Sequence, residues 1–144
     1  MSRLGSRCNL FWRMGPAIMT VTEITLLVLR CHDIERSRAF YEAIGLLLTA
    51  EQHGTGPRHY SARIGTAVLE LYPYAGADTR GLRLGLRVSD LSTVLASVER
   101  LGGRLLRVGS ARGRLGLSAS GASIPSTALL EDPDGHQIEL AEEK

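Results

Sequence analysis

The chain has little lysine, few aromatics, two cysteines and no long apolar run. Of its 17 basic residues only Lys144 is lysine and the rest are arginine, a bias read as the codon usage of a GC-rich genome. Aromatic residues make up 5% and Trp12 is the single tryptophan, so flat surfaces for stacking a large planar ligand are scarce. Cys8 and Cys31 lack the spacing of a metal site and read as free thiols of a cytosolic protein rather than a disulfide framework. No apolar stretch approaches the roughly 18 residues of a membrane span. Residues 1–19, MSRLGSRCNLFWRMGPAIM, contain scattered arginine and no apolar core of ~7 residues or more, so they do not read as a secretion signal. They are expected to be a disordered extension, or sequence upstream of a start at Met19. The expected location is cytoplasmic. The net charge is +2, and the three arginines Arg3, Arg7 and Arg13 lie in the extension, which leaves the body near neutral and gives no case for nucleic acid. No Ser/His/Asp or Cys/His arrangement, phosphate loop or dinucleotide fingerprint occurs.

With 144 residues, 44% apolar and 22% charged, the composition suits one compact domain or two small modules sharing a core. The periodicities favour the second arrangement within a single domain, 20–144. Glu23 to Arg30 is a gapless apolar strand, as expected where both faces are covered. Asp33 is an N-cap for a helix carrying Ile34, Ala39, Phe40 and Ile44, and Gly45 stops it. Strands follow at Leu46 to Gln52, Arg58 to Ile64 and Ala67 to Tyr72, separated by turns at 53–57 and 65–66. The order βαβββ then repeats: a strand Leu82 to Val88, a helix capped by Asp90 with Leu91, Val94, Leu95, Val98 and Leu101 on one face, a stop at Gly102-Gly103, and strands at Arg104 to Val108, Ser126 to Leu130 and Gln137 to Leu140. Module one spans 22–75 and module two 81–142. Each has one helix and a sheet with an uncovered face, so pairing the modules buries more surface and leaves room for a cavity.

The stretch LLEDPDGHQIEL, 129–140, joins the last two strands through the turn Asp132-Pro133-Asp134-Gly135. Period two places Gln137 and Glu139 on one face of the final strand and Ile138 and Leu140 on the other. A carboxylate is therefore aimed off the sheet, opposite the apolar pair.

DIERSRAFYEAIGL at 33–46, AVLELY at 67–72 and DPDGHQIEL at 132–140, in that order and on a duplicated βαβββ plan, resemble the vicinal oxygen chelate superfamily of glyoxalase I, bleomycin-resistance proteins, fosfomycin-resistance transferases and extradiol dioxygenases. The resemblance covers about residues 22–142. It implies an α+β fold of two tandem βαβββ modules forming a curved mixed sheet around a cavity. Metal-dependent members hold a divalent ion with side chains from four strands, and the matching positions are Leu26, Glu70, Arg83 and Glu139. Leu26 has no donor and Arg83 is a fixed cation, so no metal is expected; Glu70 and Glu139 would serve if a divalent ion were bound after all.

Glu70, Arg83 and Glu139 are expected to point into one cavity, with Arg83 between two carboxylates in the place of the metal. Two readings stand side by side. Arg83 binds an anionic or carbonyl group while Glu70 or Glu139 acts as a general base, or the three form a structural ion pair in an ancestral pocket. Arg87, Tyr60 and Tyr72 are further candidate lining residues. His53 and His59 flank a hairpin and could reach one ion only if it were tight; they read as solvated loop histidines, because no third ligand has matching spacing; His136 reads as a turn residue. Arg100, Arg104, Arg107, Arg112 and Arg114 read as a solvated segment, and the Gly/Ser-rich loop from Gly109 to Pro125 as a lid over the cavity. The favoured expectation is a homodimeric, metal-independent protein that binds or sequesters a small molecule, without nucleic-acid or membrane partners. The alternatives are a glyoxalase-like lyase, isomerase or dioxygenase using Glu70 and Glu139, and a non-catalytic structural or regulatory partner.

Overall fold

The computed structural model describes residues 21–109 and 126–143. The N-terminal extension with Cys8 and Trp12, and the expected lid with Arg112 and Arg114, lie outside these. The elements run β1 (Leu26–Cys31), α1 (Ile34–Ala43), β2 (Thr49–Glu51), β3 (His59–Ile64), β4 (Ala67–Pro73), β5 (Arg83–Val88), α2 (Leu91–Val98), a 3-10 turn (Glu99–Leu101), β6 (Arg104–Gly109), β7 (Thr127–Glu131) and β8 (Gln137–Glu142). They form two four-stranded mixed sheets, ordered β1-β4-β3-β2 and β5-β8-β7-β6. In each the first and last strands of the module run parallel and the other neighbours antiparallel. The duplication extends to register: Val28 faces Glu70 across β1 and β4 as Gly85 faces Glu139 across β5 and β8.

Local chemistry sets the helix ends. Asp33 accepts from the backbone N–H groups of Glu35 and Arg36 at 3.1 and 3.0 Å, satisfying donors that the first helical turn leaves free. Asp90 does the same for α2, taking the N–H of Thr93 at 2.9 Å and its hydroxyl at 2.7 Å. The two glycines after the 3-10 turn have different duties. Gly102 adopts φ +82°, and a Cβ on Gly103 would stand 2.3 Å from the ring of Phe40 on α1. Gly103 therefore lets module two close onto module one.

The core lies on the helix-facing side of both sheets, where Leu29, Cys31, Phe40, Tyr41, Leu69, Leu71, Leu91, Leu130, Ile138 and Leu140 are buried. The β7–β8 turn is pinned to module one by polar contacts across about a hundred residues. Tyr41 donates to Asp132 Oδ2 at 2.7 Å, Ser37 to Asp134 Oδ2 at 2.5 Å, and the backbone N–H of His32 to Asp134 Oδ1 at 2.7 Å.

The opposite sides of the sheets are open. The gapless apolar run in β1 suggested two covered faces, yet Leu26 is 52% exposed, because among the described residues a helix packs on one side of the sheet only. The sheets are likewise open, with β1, β2, β5 and β6 as edges, and do not curl into a closed wall around a cavity.

Candidate functional site

On the open face of the second sheet, Arg83 reaches Glu139 from the neighbouring strand, with Nη2 and Nε at 2.8 and 3.1 Å from Oε2. Both side chains are about half exposed, at 47% and 48%, so the pair is worth at most about 1 kcal/mol to the fold. Both donors converge on a single carboxylate oxygen, which leaves Oε1 and further guanidinium N–H groups without a hydrogen-bond partner among the described residues. Strand alternation puts Arg87 on the same face, exposed. Arg107 and Glu139 line a shallow hollow of about 20 Å³ with Thr127 and Leu129, and Arg104 is paired with Glu131 at 2.9 Å. Among the described residues neither Arg87 nor Arg107 has a carboxylate partner.

On the open face of the first sheet, Glu70 lines a groove of about 530 Å³ with Leu47, Thr49, Glu51, Ser61, Arg63 and Val68. Tyr72, two residues along β4, is on the same face and stacks on His59, with ring centroids 4.1 Å apart and planes 13° apart. Arg30 lies over the same ring, 5.2 Å from its centre. Tyr60 is not with them. It is buried on the helix side, and its hydroxyl donates to Glu35 at 2.5 Å. The alternation of β3 gives His59, Ser61 and Arg63 to the open face, so the tyrosine between them turns inward.

The single cavity expected for Glu70, Arg83 and Glu139 is divided within one chain. Glu70 belongs to one sheet and the Arg83–Glu139 pair to the other, and no hydrogen bond or ion pair among the described residues joins them. A third hollow, of about 440 Å³, lies between the modules, bounded by Ile44, Leu46 and Ile64 on one side and Leu86, Val88 and Val94 on the other.

The family's metal position does not fit an ion here. Of its four residues Leu26 offers no donor atom, and Arg83 brings a positive charge that already occupies one oxygen of Glu139.

A different constellation stands at the β2–β3 hairpin, where Glu51 joins the two histidines. Glu51 and His59 are cross-strand partners on β2 and β3, and His53 lies two residues beyond Glu51 in the turn. Glu51 Oε2 is 3.5 Å from His53 Nε2 and 3.7 Å from His59 Nε2, and one ligand atom from each residue falls within 4.8 Å of the others. His59 is buried, not solvated, at 1% exposure. Glu51 is a third donor beside the two histidines, one that sequence spacing does not show and the register of β2 with β3 does. Its pKa is lowered by the hydrogen bond from the Ser61 hydroxyl, against desolvation, with help from the two imidazoles.

Asp132, Asp134 and His136 also cluster, but their atoms are engaged with each other and with module one. Asp132 Oδ1 accepts the N–H groups of Asp134 and His136, both at 2.9 Å, and Oδ2 accepts from Tyr41 and from His136 Nδ1, both at 2.7 Å. Burial pushes the Asp132 carboxyl up, and the bonds from His136 and Tyr41 outweigh it and hold its pKa below the usual value. Thr79 Oγ1 accepts the N–H of Arg30 and so has its own proton to give to His136 Nε2. His136 is a turn residue whose ring is held from both ends. This knot is structural.

A family model described as the Glyoxalase/Bleomycin resistance protein/Dioxygenase superfamily matches residues 23–140. No curated protein matches the chain. Among solved structures, TnmS3, an antibiotic binding protein from Streptomyces sp. CB03234, is 26% identical with a TM-score of 0.59, over 88% of this chain and 99% of that one. A glyoxalase/bleomycin resistance protein from the same Streptomyces is 27% identical with a TM-score of 0.56, over 83% and 99%. The oxidase ChaP-H2, at 19% identity, TM-score 0.57 and 87% and 96% coverage, shares the fold. The match over most of the chain, the duplicated βαβββ sheets and these structural likenesses lead to one conclusion: the chain belongs to the glyoxalase/bleomycin resistance protein/dioxygenase superfamily.

Proposed function

We propose that the protein binds and sequesters a small molecule carrying an anionic group, in a site completed by a second copy of the chain. The observation that carries this reading is the division of the site residues between two open faces. Glu70 lines a groove of about 530 Å³ on one, and the outward-facing Arg83–Glu139 pair stands on the other. Ligand sites bury most of their ligand, and neither face encloses one alone. The faces lean to opposite charge: Glu51 and Glu70 stand with Arg63 in the groove, whereas Arg83, Arg87 and Arg107 stand with Glu139 on or beside the other face. Placing the groove of one copy over the arginines of another reunites Glu70 with Arg83 and Glu139 and covers Leu26. Arg83 is the anchor for the anion, through donors its ion pair leaves unused. The relative TnmS3, described as an antibiotic binding protein, is an example of binding on this fold.

The test is a thermal-shift screen of aromatic carboxylates, sulfonates and their neutral analogues, followed by calorimetry and mass analysis of the recovered ligand. Sequestration predicts a raised melting temperature, an unaltered ligand, and an affinity for the anionic form that falls at least tenfold in Arg83→Ala while the neutral analogue is little affected. Turnover that disappears in Glu139→Gln would replace this reading with the enzymatic one.

A further inference from the structure

We propose that Glu51, His53 and His59 form a binding site for one late first-row divalent metal ion, zinc in the first instance. The site lies at the β2–β3 hairpin, away from the four positions used by metal-dependent relatives, and the inference is independent of the ligand reading above.

The donor set suits such an ion. Two imidazoles and one carboxylate are borderline ligands that favour zinc, cobalt or nickel over calcium and magnesium, which prefer all-oxygen shells. The two separations from Glu51 are close to what such an ion needs. With metal–donor bonds of about 2.0 to 2.2 Å in a tetrahedral arrangement, donors stand roughly 3.3 to 3.6 Å apart. Glu51 Oε2 is 3.5 Å from His53 Nε2 and 3.7 Å from His59 Nε2. These separations are too long for good hydrogen bonds, whose N···O distances centre near 2.9 to 3.0 Å. The three groups thus converge without satisfying one another.

His59 and Glu51 are each oriented by a neighbour, and the turn that carries His53 is closed by hydrogen bonds. His59 Nδ1 lies 3.2 Å from the carbonyl of Pro57, and a carbonyl only accepts, so Nδ1 carries the proton and Nε2 presents its lone pair. A second hydrogen bond of this kind, from the other ring nitrogen, is the usual support of a metal-binding histidine. The ring is clamped by the stack on Tyr72, whose hydroxyl lies 3.2 Å from Nε2 and gives way when an ion arrives. Ser61 donates to Glu51 Oε1 at 2.6 Å, which leaves Oε2 for the ion. The turn carrying His53 is closed by the Gly56 N–H on the His53 carbonyl at 3.0 Å and by Gln52 on the Gly56 carbonyl at 2.9 Å. His53 is 74% exposed, so an ion has a way in. Three protein donors leave at least one coordination position for water or a ligand atom, and Glu51 itself lines the groove that holds Glu70.

The buried Asp132, Asp134 and His136 cluster has no such opening, because its bonds are already made.

The test uses the full chain, free of any affinity tag and stripped of metal, titrated with Zn²⁺ by calorimetry and with Co²⁺ by visible absorption. The expected result is one ion per chain and a Co²⁺ ligand-field band. His53→Ala and Glu51→Gln, both at accessible positions, should each weaken binding at least tenfold, and together abolish it. Glu70→Gln, Glu139→Gln and Cys8→Ser should leave it intact. Absence of stoichiometric binding, or binding that survives the His53 and Glu51 substitutions, would overturn the proposal, as would its loss in Glu139→Gln or Cys8→Ser.

Discussion

Four hydrogen bonds converge on the Asp132 side chain, and its surroundings set three outcomes at the residue scale. Tyr41→Phe removes one donor to Oδ2 without changing shape and should lower stability by about 1 to 3 kcal/mol, read as a lower urea midpoint at unchanged slope. Because the folded pKa of Asp132 is depressed, its contribution is complete above the unfolded value of about 3.9. It is lost as the pH falls through the lower native value. Asp132→Asn should therefore be less stable than wild type near neutrality and lose less on acidification, in denaturation curves taken from pH 6 to pH 2. Beside this knot, burial pushes the Cys31 thiol up to about 12, Ser37 opposes that shift, and the charges of Asp134 and Asp132 add to it. In a Cys8→Ser background the remaining thiol should react with a disulfide reagent at pH 8 only as fast as the protein unfolds. Rapid labelling of the native protein would contradict its burial.

Among the elements, the glycines separate packing from turn chemistry. A methyl group at Gly103 would enter the ring of Phe40, so Gly103→Ala should cost about 1 to 3 kcal/mol. Gly85, on the open face of the edge strand β5, has nothing within 4 Å of an added Cβ, and Gly85→Ala should change stability by no more than about 0.5 kcal/mol. Chemical denaturation of both variants checks the contrast. The elements were legible because their signals are local. Asp33 and Asp90 cap the helices as their positions suggested, the DPDG turn joins β7 to β8, and alternation in β8 separates Glu139 from Ile138 and Leu140. What was not legible depends on how strands face one another. Tyr60 looked equivalent to Tyr72, but the two fall on opposite sides because β3 and β4 start their alternation out of step. The Glu51, His53 and His59 cluster needs the cross-strand register of β2 and β3, which single-strand periodicity does not contain. The division of Glu70 from Arg83 and Glu139 depends on how the two modules pack, a choice that the repeat pattern alone does not make.

For the molecule as a whole, the exposed open faces bear on assembly. If a second copy covers them, sedimentation velocity should give about twice the chain mass of 15.6 kDa. Leu26→Glu, which puts a charge on the open face of β1, should shift the protein to monomer and remove ligand binding while far-ultraviolet circular dichroism stays unchanged. A dimer indifferent to that change would place the interface elsewhere. No helix among the described residues is long and apolar enough to cross a membrane. The strand order also has a consequence for synthesis. β8 leaves the ribosome after every other element described here, yet it occupies a central place, hydrogen-bonded to β5 on one side and β7 on the other. Its Glu139 meets an arginine made 56 residues earlier. The second sheet therefore cannot be laid down strand by strand as the chain emerges: β5 waits unpaired until β8 has been made, and through that interval its free edge is a place for a chaperone or for a neighbouring nascent chain.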